Sequence, residues 1–164
     1  SKLGMRQASL GTGGRAISAL VPSQVPQVTN WDWNSPYWRE LGAPWGGAHS
    51  DAEGVGRLLT AFLEPDGGLL PIELARQMVT DQNAKLNQSW GIGWAVNARR
   101  KGSPFGGACS AAAFGHGGAT GTLCWADPAT KAICVLLTSK PAAESGKPVL
   151  DPTSDAVSNA VKPR

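Results

Sequence analysis

The sequence predicts an α+β fold in which helices come first and pack on an antiparallel sheet of about three strands. Apolar residues recur at helical spacing in the first half of the chain, whereas strand-like runs dominate the second half. The third observation is the turn sequence Asp127-Pro128-Ala129-Thr130 between two apolar runs, which indicates a hairpin. Helices followed by hairpin-linked strands are typical of the α+β class.

Composition limits the function classes that the chain can belong to. The chain has 164 residues, enough for one domain with a core, and a formal charge of +3. Because the basic residues do not gather on one predicted face, we do not expect a nucleic-acid partner. No apolar run approaches the roughly 20 residues of a membrane helix, so no membrane span is expected in this chain.

The first 30 residues show no sustained period. We interpret residues 1–30 as a long ordered loop with a short strand over 15–20, because Ser, Thr, Gly and Pro recur there. The aromatic-rich segment 31–39 is interpreted as a surface-wrapping loop because it contains Pro36.

Two helices and a strand are predicted next. Ser50-Asp51-Ala52-Glu53 has the pattern of a capping box with Ser50 at the cap, followed by apolar residues at helical spacing. Pro71 suits the first turn of a second helix that ends near 81–83. The segment 90–96 alternates large and small residues, which predicts a half-buried strand with Trp90 and Trp94 together in the core.

The second half is predicted to be mainly strands. Strands are expected over 121–125 and 131–138, followed by a loop over 140–147 and a short helix over 151–161 with Val157 and Val161 facing inward. The basic run Arg99-Arg100-Lys101 is interpreted as a solvated loop.

The cysteines do not indicate a metal site or a cofactor. Cys109, Cys124 and Cys134 lack C-x-x-C spacing, so neither a metal nor a cofactor is expected. Cys124 and Cys134 could face each other across a hairpin and form a disulfide, but buried free thiols are favoured. His49 is interpreted as a solvated residue beside the helix cap rather than a functional group at a cleft.

The stretch Phe114-Gly115-His116-Gly117-Gly118-Ala119-Thr120-Gly121 carries the strongest chemical signal. Glycine has no Cβ, so a ligand can approach such a backbone closely. A histidine held there can donate, accept or relay a proton near neutral pH. Local composition alone leaves open whether this stretch is a functional wall or a glycine-rich turn with a solvated histidine.

Three segments, in order, resemble the C-terminal half of the serine β-lactamase and penicillin-binding-protein superfamily, in its class C-like branch. They are Leu3-Gly4-Met5, the loop Pro44-Trp45-Gly46-Gly47, and the segment 90–94 leading on to His116-Gly117-Gly118 and Trp125-Ala126-Asp127-Pro128. The resemblance implies acyl-enzyme hydrolysis of a β-lactam, a D-Ala-D-Ala peptide or a small ester. It also implies an exported or periplasmic protein.

The resemblance implies a role for each residue of the glycine-rich stretch. His116 would form hydrogen bonds near the substrate or the catalytic tyrosine, and the backbone N–H of Ala119 would be one of two oxyanion-hole donors. Gly117 and Gly118 would let an extended substrate lie against the strand. Trp45 would line the cleft.

The sequence also departs from that family. No serine is followed by Lys three residues later, and Tyr37, the only tyrosine, is followed by Trp38 and Arg39, so Ser-x-x-Lys and Tyr-x-Asn are both absent. We therefore interpret residues 1–164 as the C-terminal portion of one β-lactamase-like domain that is inactive without its N-terminal portion. The apolar strand 133–137 would then present an unpaired edge.

Two other classes of protein are compatible with parts of the sequence. A non-catalytic β-lactamase-like domain could bind peptidoglycan, a peptide or a protein partner, because a fold does not determine a function. An α/β-hydrolase with a His-Gly-Gly oxyanion loop is disfavoured because no Gly-x-Ser-x-Gly follows the glycine-rich stretch.

Overall fold

A four-stranded antiparallel sheet organises the fold. The computed structural model describes residues 2–26, 28–86, 88–97 and 103–162. The strand order in the sheet is β3-β4-β5-β6, so each strand pairs with its neighbour in sequence. The strands are β3 (Ala95–Val96), β4 (Phe114–Gly118), β5 (Thr122–Asp127) and β6 (Ala132–Leu137). The predicted α+β class is confirmed, with one strand more than expected.

Shorter elements and helices complete the described chain. A separate two-stranded ribbon pairs β1 (Ser9–Leu10) with β2 (Ala48–His49). The helices are α1 (Pro36–Leu41), α2 (Ala52–Leu63), α3 (Ile72–Met78), α4 (Ala142–Ser145) and α5 (Asp151–Ala160), with a 3-10 turn at Ile17–Ala19 and a π-helical turn at Gly146–Leu150. Within the described ranges, none of these helices has the length and apolarity to cross a membrane.

Helices cover both faces of the sheet because side chains along β5 alternate between two cores. Leu123 and Trp125 point into a cluster that includes Leu150 and, at its margin, Val157 of α5. Ala126 belongs to the opposite cluster, with side chains of α2 and α3. The sheet is therefore the middle layer between two helical layers.

Trp125 connects the sheet to α5. Its side chain is fully buried, and its indole Nε1–H donates a hydrogen bond of 2.8 Å to Ser154 Oγ. Because the indole nitrogen can only donate, burial without this hydroxyl would leave the donor unpaired. The hydrogen bond therefore fixes the position of α5 against β5.

Asp127 is the last residue of β5 and binds the turn that follows it. Its buried carboxylate accepts hydrogen bonds from Ser110 N at 2.8 Å, Ser110 Oγ at 2.6 Å and Ala129 N at 3.0 Å. These bonds tie the hairpin turn to the segment before β4. The Asp-Pro-Ala-Thr turn expected from the sequence is confirmed as the β5–β6 connection.

Two predictions for the N-terminal third are wrong. Residues 17–19 form a 3-10 turn instead of part of a strand. Pro36 starts α1 instead of extending a loop, since Ser35 Oγ accepts a hydrogen bond from Trp38 N at 3.1 Å and caps the helix. Proline at the first helical position needs no partner for a backbone N–H, so it favours this start.

The helix that the capping pattern predicts is present, but its cap differs. Asp51 is the N-cap of α2, with Oδ1 accepting from Gly54 N at 2.7 Å, and Ser50 precedes it. The second predicted helix, α3, ends at Met78, earlier than expected.

The segment 90–94 forms a turn instead of a strand. Gly91 N donates to Trp94 O at 2.8 Å, and Gly93 adopts a positive φ of 79°. Trp94 lies in the core cluster with α2, whereas Trp90 packs against the opposite cluster, so the two rings do not share one face as predicted.

The prediction of a loop over 140–147 is wrong, because α4 and the π-helical turn occupy most of this segment. The predicted final helix is confirmed as α5, with Val157 packed inward but Val161 40% exposed. The basic run 99–101 lies outside the described residues.

The three cysteines are free thiols. Across the β5–β6 hairpin Cys124 pairs with Val135 and Cys134 pairs with Trp125, so the two cysteines point to opposite faces of the sheet. The arrangement considered for a Cys124–Cys134 disulfide is therefore wrong, and the favoured interpretation as free thiols is confirmed.

β6 is the last strand of the sheet, with no further strand beside it among the described residues. An apolar edge of this kind is a template for pairing with another chain. The expected bare edge is present over 132–137.

We predict that Asp127→Ala lowers the free energy of unfolding by about 2–4 kcal/mol, because three hydrogen-bond donors lose a charged acceptor. Urea unfolding followed by circular dichroism measures the change. Asp66→Ala is the matched control, since Asp66 is exposed and accepts a hydrogen bond from Gly68 N. Equal losses in the two variants would contradict the proposed role of Asp127.

We also predict that the chain self-associates through the β6 edge, which sedimentation equilibrium detects as a mass that rises with concentration. Leu137→Lys, at a position 44% exposed, should shift the chain towards monomer, because a charge on an edge strand opposes pairing. Val161→Lys, at an apolar position that is 40% exposed but forms the C-cap of α5, should leave the association unchanged. A sharp, concentration-independent unfolding transition of a monomer would count against this prediction.

Candidate functional site

Strand β4 changes from buried to exposed along its length. Phe114 and Gly115 are buried, whereas His116 and Gly117 are exposed. A Cβ on Gly115 would overlap the carbonyl oxygen of Cys124 and lie 2.7 Å from the Cα of Trp125. Only glycine fits there, so β4 lies close against β5 and His116 follows directly at the surface.

The imidazole of His116 is held by two neighbours. Its Nδ1 lies 2.6 Å from the carbonyl oxygen of Gly117, which can only accept a hydrogen bond, so Nδ1 carries the proton. The ring also meets the indole of Trp90 edge-on, with centroids 5.4 Å apart and an interplanar angle of 61°. In the neutral ring Nε2 is then a hydrogen-bond acceptor.

The outer half of β4 has a free edge. β3 pairs only with Phe114 and Gly115, whereas the segment 116–118 pairs with β5 alone among the described residues. The backbone groups on the other side of this segment can therefore pair with an extended ligand. His116, Gly117 and Gly118 lie together on this edge.

Ala119 follows in a tight turn whose geometry depends on Gly121. Gly121 has a positive φ of 87°, and a Cβ there would overlap the carbonyl oxygen of Lys140. Ala142 N donates to the carbonyl of Ala119 at 2.9 Å, which fixes the peptide. Within the described ranges, the N–H of Ala119 makes no hydrogen bond and is available to a ligand.

Trp45 is distant in sequence from the β4 edge and lies outside the four-stranded sheet. It occupies the turn between α1 and β2, and 79% of its surface is exposed. Its role in lining a cleft stays a prediction.

A cavity in the described structure, next to the turn that holds Ala119, was not predicted. It has a volume of about 780 Å³, and its wall includes Arg15, Arg39 and His49. Thr120 and Thr122 also line it, whereas the three residues on the β4 edge do not. No sequence motif joins these positions. His49 is half-buried in this wall, so its interpretation as a solvated residue is wrong.

The cysteines are poor candidates for a nucleophile. Burial raises the pKa of Cys109 and of Cys134 to about 11, and burial also raises the pKa of Cys124. Their thiols are therefore protonated near neutral pH and react slowly. Among the residues described, no three His, Cys, Asp or Glu side chains are placed to hold a metal ion.

A glycine-rich strand with an exposed histidine, in an antiparallel sheet between two helical layers, agrees with the β-lactamase-like fold that the sequence resemblance implies. The family model for β-lactamase matches residues 1–155, so the chain belongs to the β-lactamase family. The resemblance and the fold stated from the sequence are confirmed.

A crystal structure of a β-lactamase from Mycobacterium bovis is similar to this chain, with a TM-score of 0.60 and 25% sequence identity. The match covers 70% of this chain and 44% of the M. bovis chain, which is less than half of that protein. No curated protein sequence matches significantly.

We predict that neutral His116 is the Nδ1–H tautomer, because the Gly117 carbonyl accepts from that nitrogen. Long-range ¹H–¹⁵N correlation spectra at alkaline pH distinguish the two tautomers. His49 is the only other histidine, so His49→Gln assigns the signals. A dominant Nε2–H form would contradict the geometry.

Proposed function

We propose that this chain supplies the sheet side of the active site in a serine hydrolase that works through an acyl-enzyme. The observation that carries the proposal is the edge of β4, which is free over 116–118 among the described residues and is followed by Ala119, whose N–H makes no hydrogen bond within the same ranges. Membership of the β-lactamase family supports it. The substrate class would be a β-lactam, a D-Ala-D-Ala peptide or a small ester.

In this proposal the N–H of Ala119 donates to the oxyanion that forms when a serine attacks the substrate carbonyl. The turn already holds this peptide in place, so little reorganisation is needed as charge develops. Removing one oxyanion donor of this kind costs about 2.7–4 kcal/mol of barrier. Gly117 and Gly118 leave room for the substrate backbone along the strand edge.

His116 would act beside the donor. With Nδ1 bonded to Gly117, its Nε2 presents a lone pair that can accept a hydrogen bond from a substrate or from a catalytic hydroxyl. The edge contact with Trp90 limits rotation of the ring. We therefore assign His116 a role in orienting groups at the reacting carbonyl.

The nucleophile would come from another segment. The 164 residues contain no Ser-x-x-Lys and no Tyr-x-Asn, and the described cysteines are protonated near neutral pH. We propose that an N-terminal portion of the same domain carries both motifs and pairs with the β6 edge.

The second candidate is a non-catalytic domain that binds peptidoglycan, a peptide or a protein partner. The backbone of 116–118, which is free on one side among the described residues, favours it. The free β4 edge would then serve only to bind an extended ligand as an added strand. The sequence encoded upstream of Ser1 separates the two, because an intact Ser-x-x-Lys and Tyr-x-Asn would support the hydrolase and their absence would support binding.

We predict that the 164-residue chain alone does not hydrolyse a chromogenic β-lactam or a nitrophenyl ester above the buffer rate. The physical reason is that no activated nucleophile is present. Absorbance assays measure turnover, and intact-mass spectrometry tests for an acyl adduct on the chain. His116→Ala should give the same baseline as the unchanged chain. Turnover that this substitution abolishes would show that the chain holds its own nucleophile and would overturn the proposal.

A further inference from the structure

A tight turn brings Trp90 to the outer half of β4. The turn over 91–94 folds the chain back, so that Trp90 pairs with Ala95 in an isolated antiparallel bridge. Ala95 in turn pairs with Gly115, which directly precedes His116. The indole then meets the imidazole edge-on, with ring centroids 5.4 Å apart. The contact therefore joins two separate segments of the chain.

The backbone around Trp90 is held by the end of α3. The carbonyl oxygen of Trp90 accepts a hydrogen bond from Gln82 N at 2.7 Å, and Ile92 N donates to the carbonyl of Met78 at 2.8 Å. A Cβ on Gly91 would overlap the same Met78 oxygen, so glycine lets the chain pass this close to the helix. The indole is thus carried by a backbone that is fixed at several points.

The side chain of Trp90 is half-buried. It packs against the core cluster that contains Trp125 and Leu150, on one face of the sheet. An indole buries a large apolar area in such a contact, which favours a single orientation of the ring. Trp90 can therefore act as a fixed surface for a second ring.

His116, in contrast, is exposed. Its Nδ1 contact is with the carbonyl of the next residue, Gly117, which is also exposed, so water competes for both groups. Exposed side chains exchange rotamers on the picosecond to nanosecond timescale. Edge-to-face contact with an anchored ring favours one of these rotamers, because it stabilises the pair beyond the area that it buries.

We propose that Trp90 is a positioning residue for His116. Its indole holds the imidazole in the orientation in which Nδ1 donates to Gly117 and Nε2 remains a hydrogen-bond acceptor. The consequence for catalysis rests on the proposed function, in which Nε2 orients groups at the reacting carbonyl. Trp90 touches none of those groups and acts through the imidazole.

The test measures the tautomer ratio of His116, Nδ1–H to Nε2–H, in the 164-residue chain by long-range ¹H–¹⁵N correlation spectra at alkaline pH. Trp90→Leu keeps an apolar side chain against the core but removes the ring. We expect the ratio to fall about two- to tenfold, as the loss of one edge-to-face contact implies. Trp90→Phe keeps a ring edge and should hold the ratio within about twofold of the unchanged chain.

Two controls separate positioning from a general loss of structure. The tautomer ratio of His49, the other histidine, should not change in any variant. Trp31→Leu is the matched substitution, because Trp31 is 65% exposed and meets Tyr37 edge-on. It should leave the His116 ratio unchanged, and circular dichroism shows whether each variant is folded.

An unchanged His116 ratio in folded Trp90→Leu would overturn the proposal, as would an equal fall in Trp90→Phe or in Trp31→Leu. If Trp90→Leu does not fold, the unchanged chain decides. The proposal then requires nuclear Overhauser effects between the two rings and three-bond couplings that show a single χ1 rotamer of His116. Averaged couplings, or no Overhauser effect between the rings, would overturn it.

These spectra need no substrate, so the role of Trp90 and the proposed function can fail separately. A titration with N-acetyl-D-Ala-D-Ala that leaves the amides of 116–119 unmoved would count against the proposed function. The tautomer ratio of His116 in Trp90→Leu, set against Trp90→Phe, decides the role of Trp90.

Discussion

The close approach of β4 to β5 at Gly115 is the constraint on which the remaining structure depends. A side chain at this position would collide with the backbone of Cys124 and Trp125. Because the contact is close, Trp125 can be fully buried in one core while Phe114 is fully buried in the other. The same contact fixes the register that brings His116 to the surface, directly after the last buried residue of β4.

The sheet has two edges of different character. At one edge β3 covers only the first half of β4, so in the described part of the chain the backbone of 116–118 is free on that side and the N–H of Ala119 makes no hydrogen bond. At the other edge β6 is apolar, and in the described structure it pairs with β5 on one side and with no strand on the other. The backbone at the β4 edge can pair with a small extended ligand, and the longer β6 edge can pair with a further strand. The same sheet therefore carries the proposed substrate-binding edge, on β4, and the edge proposed to pair with an N-terminal portion, on β6.

Much of the sheet and α2 could be predicted from sequence because local patterns determine them. The β5–β6 hairpin follows from two apolar runs around an Asp-Pro turn, and α2 follows from a cap and helical spacing. The strand prediction is wrong over 90–94. Large residues and glycines alternate there as in a half-buried strand, but Gly93 has a positive φ and lies in a turn. The cavity lined by Arg15, Arg39 and His49 could not be predicted, since pairing of β1 with β2 and the packing of α1 assemble it from distant positions.

The most direct test of the account is an amide-resolved NMR titration of the chain with N-acetyl-D-Ala-D-Ala. The account predicts that the largest chemical-shift changes fall on 116–119, with the Ala119 amide among them, because these groups form the free edge and the proposed donor. Changes confined to β6 or to the N-terminal ribbon of β1 and β2, with the signals of β4 and Ala119 unchanged, would contradict the claim that the β4 edge is the substrate wall.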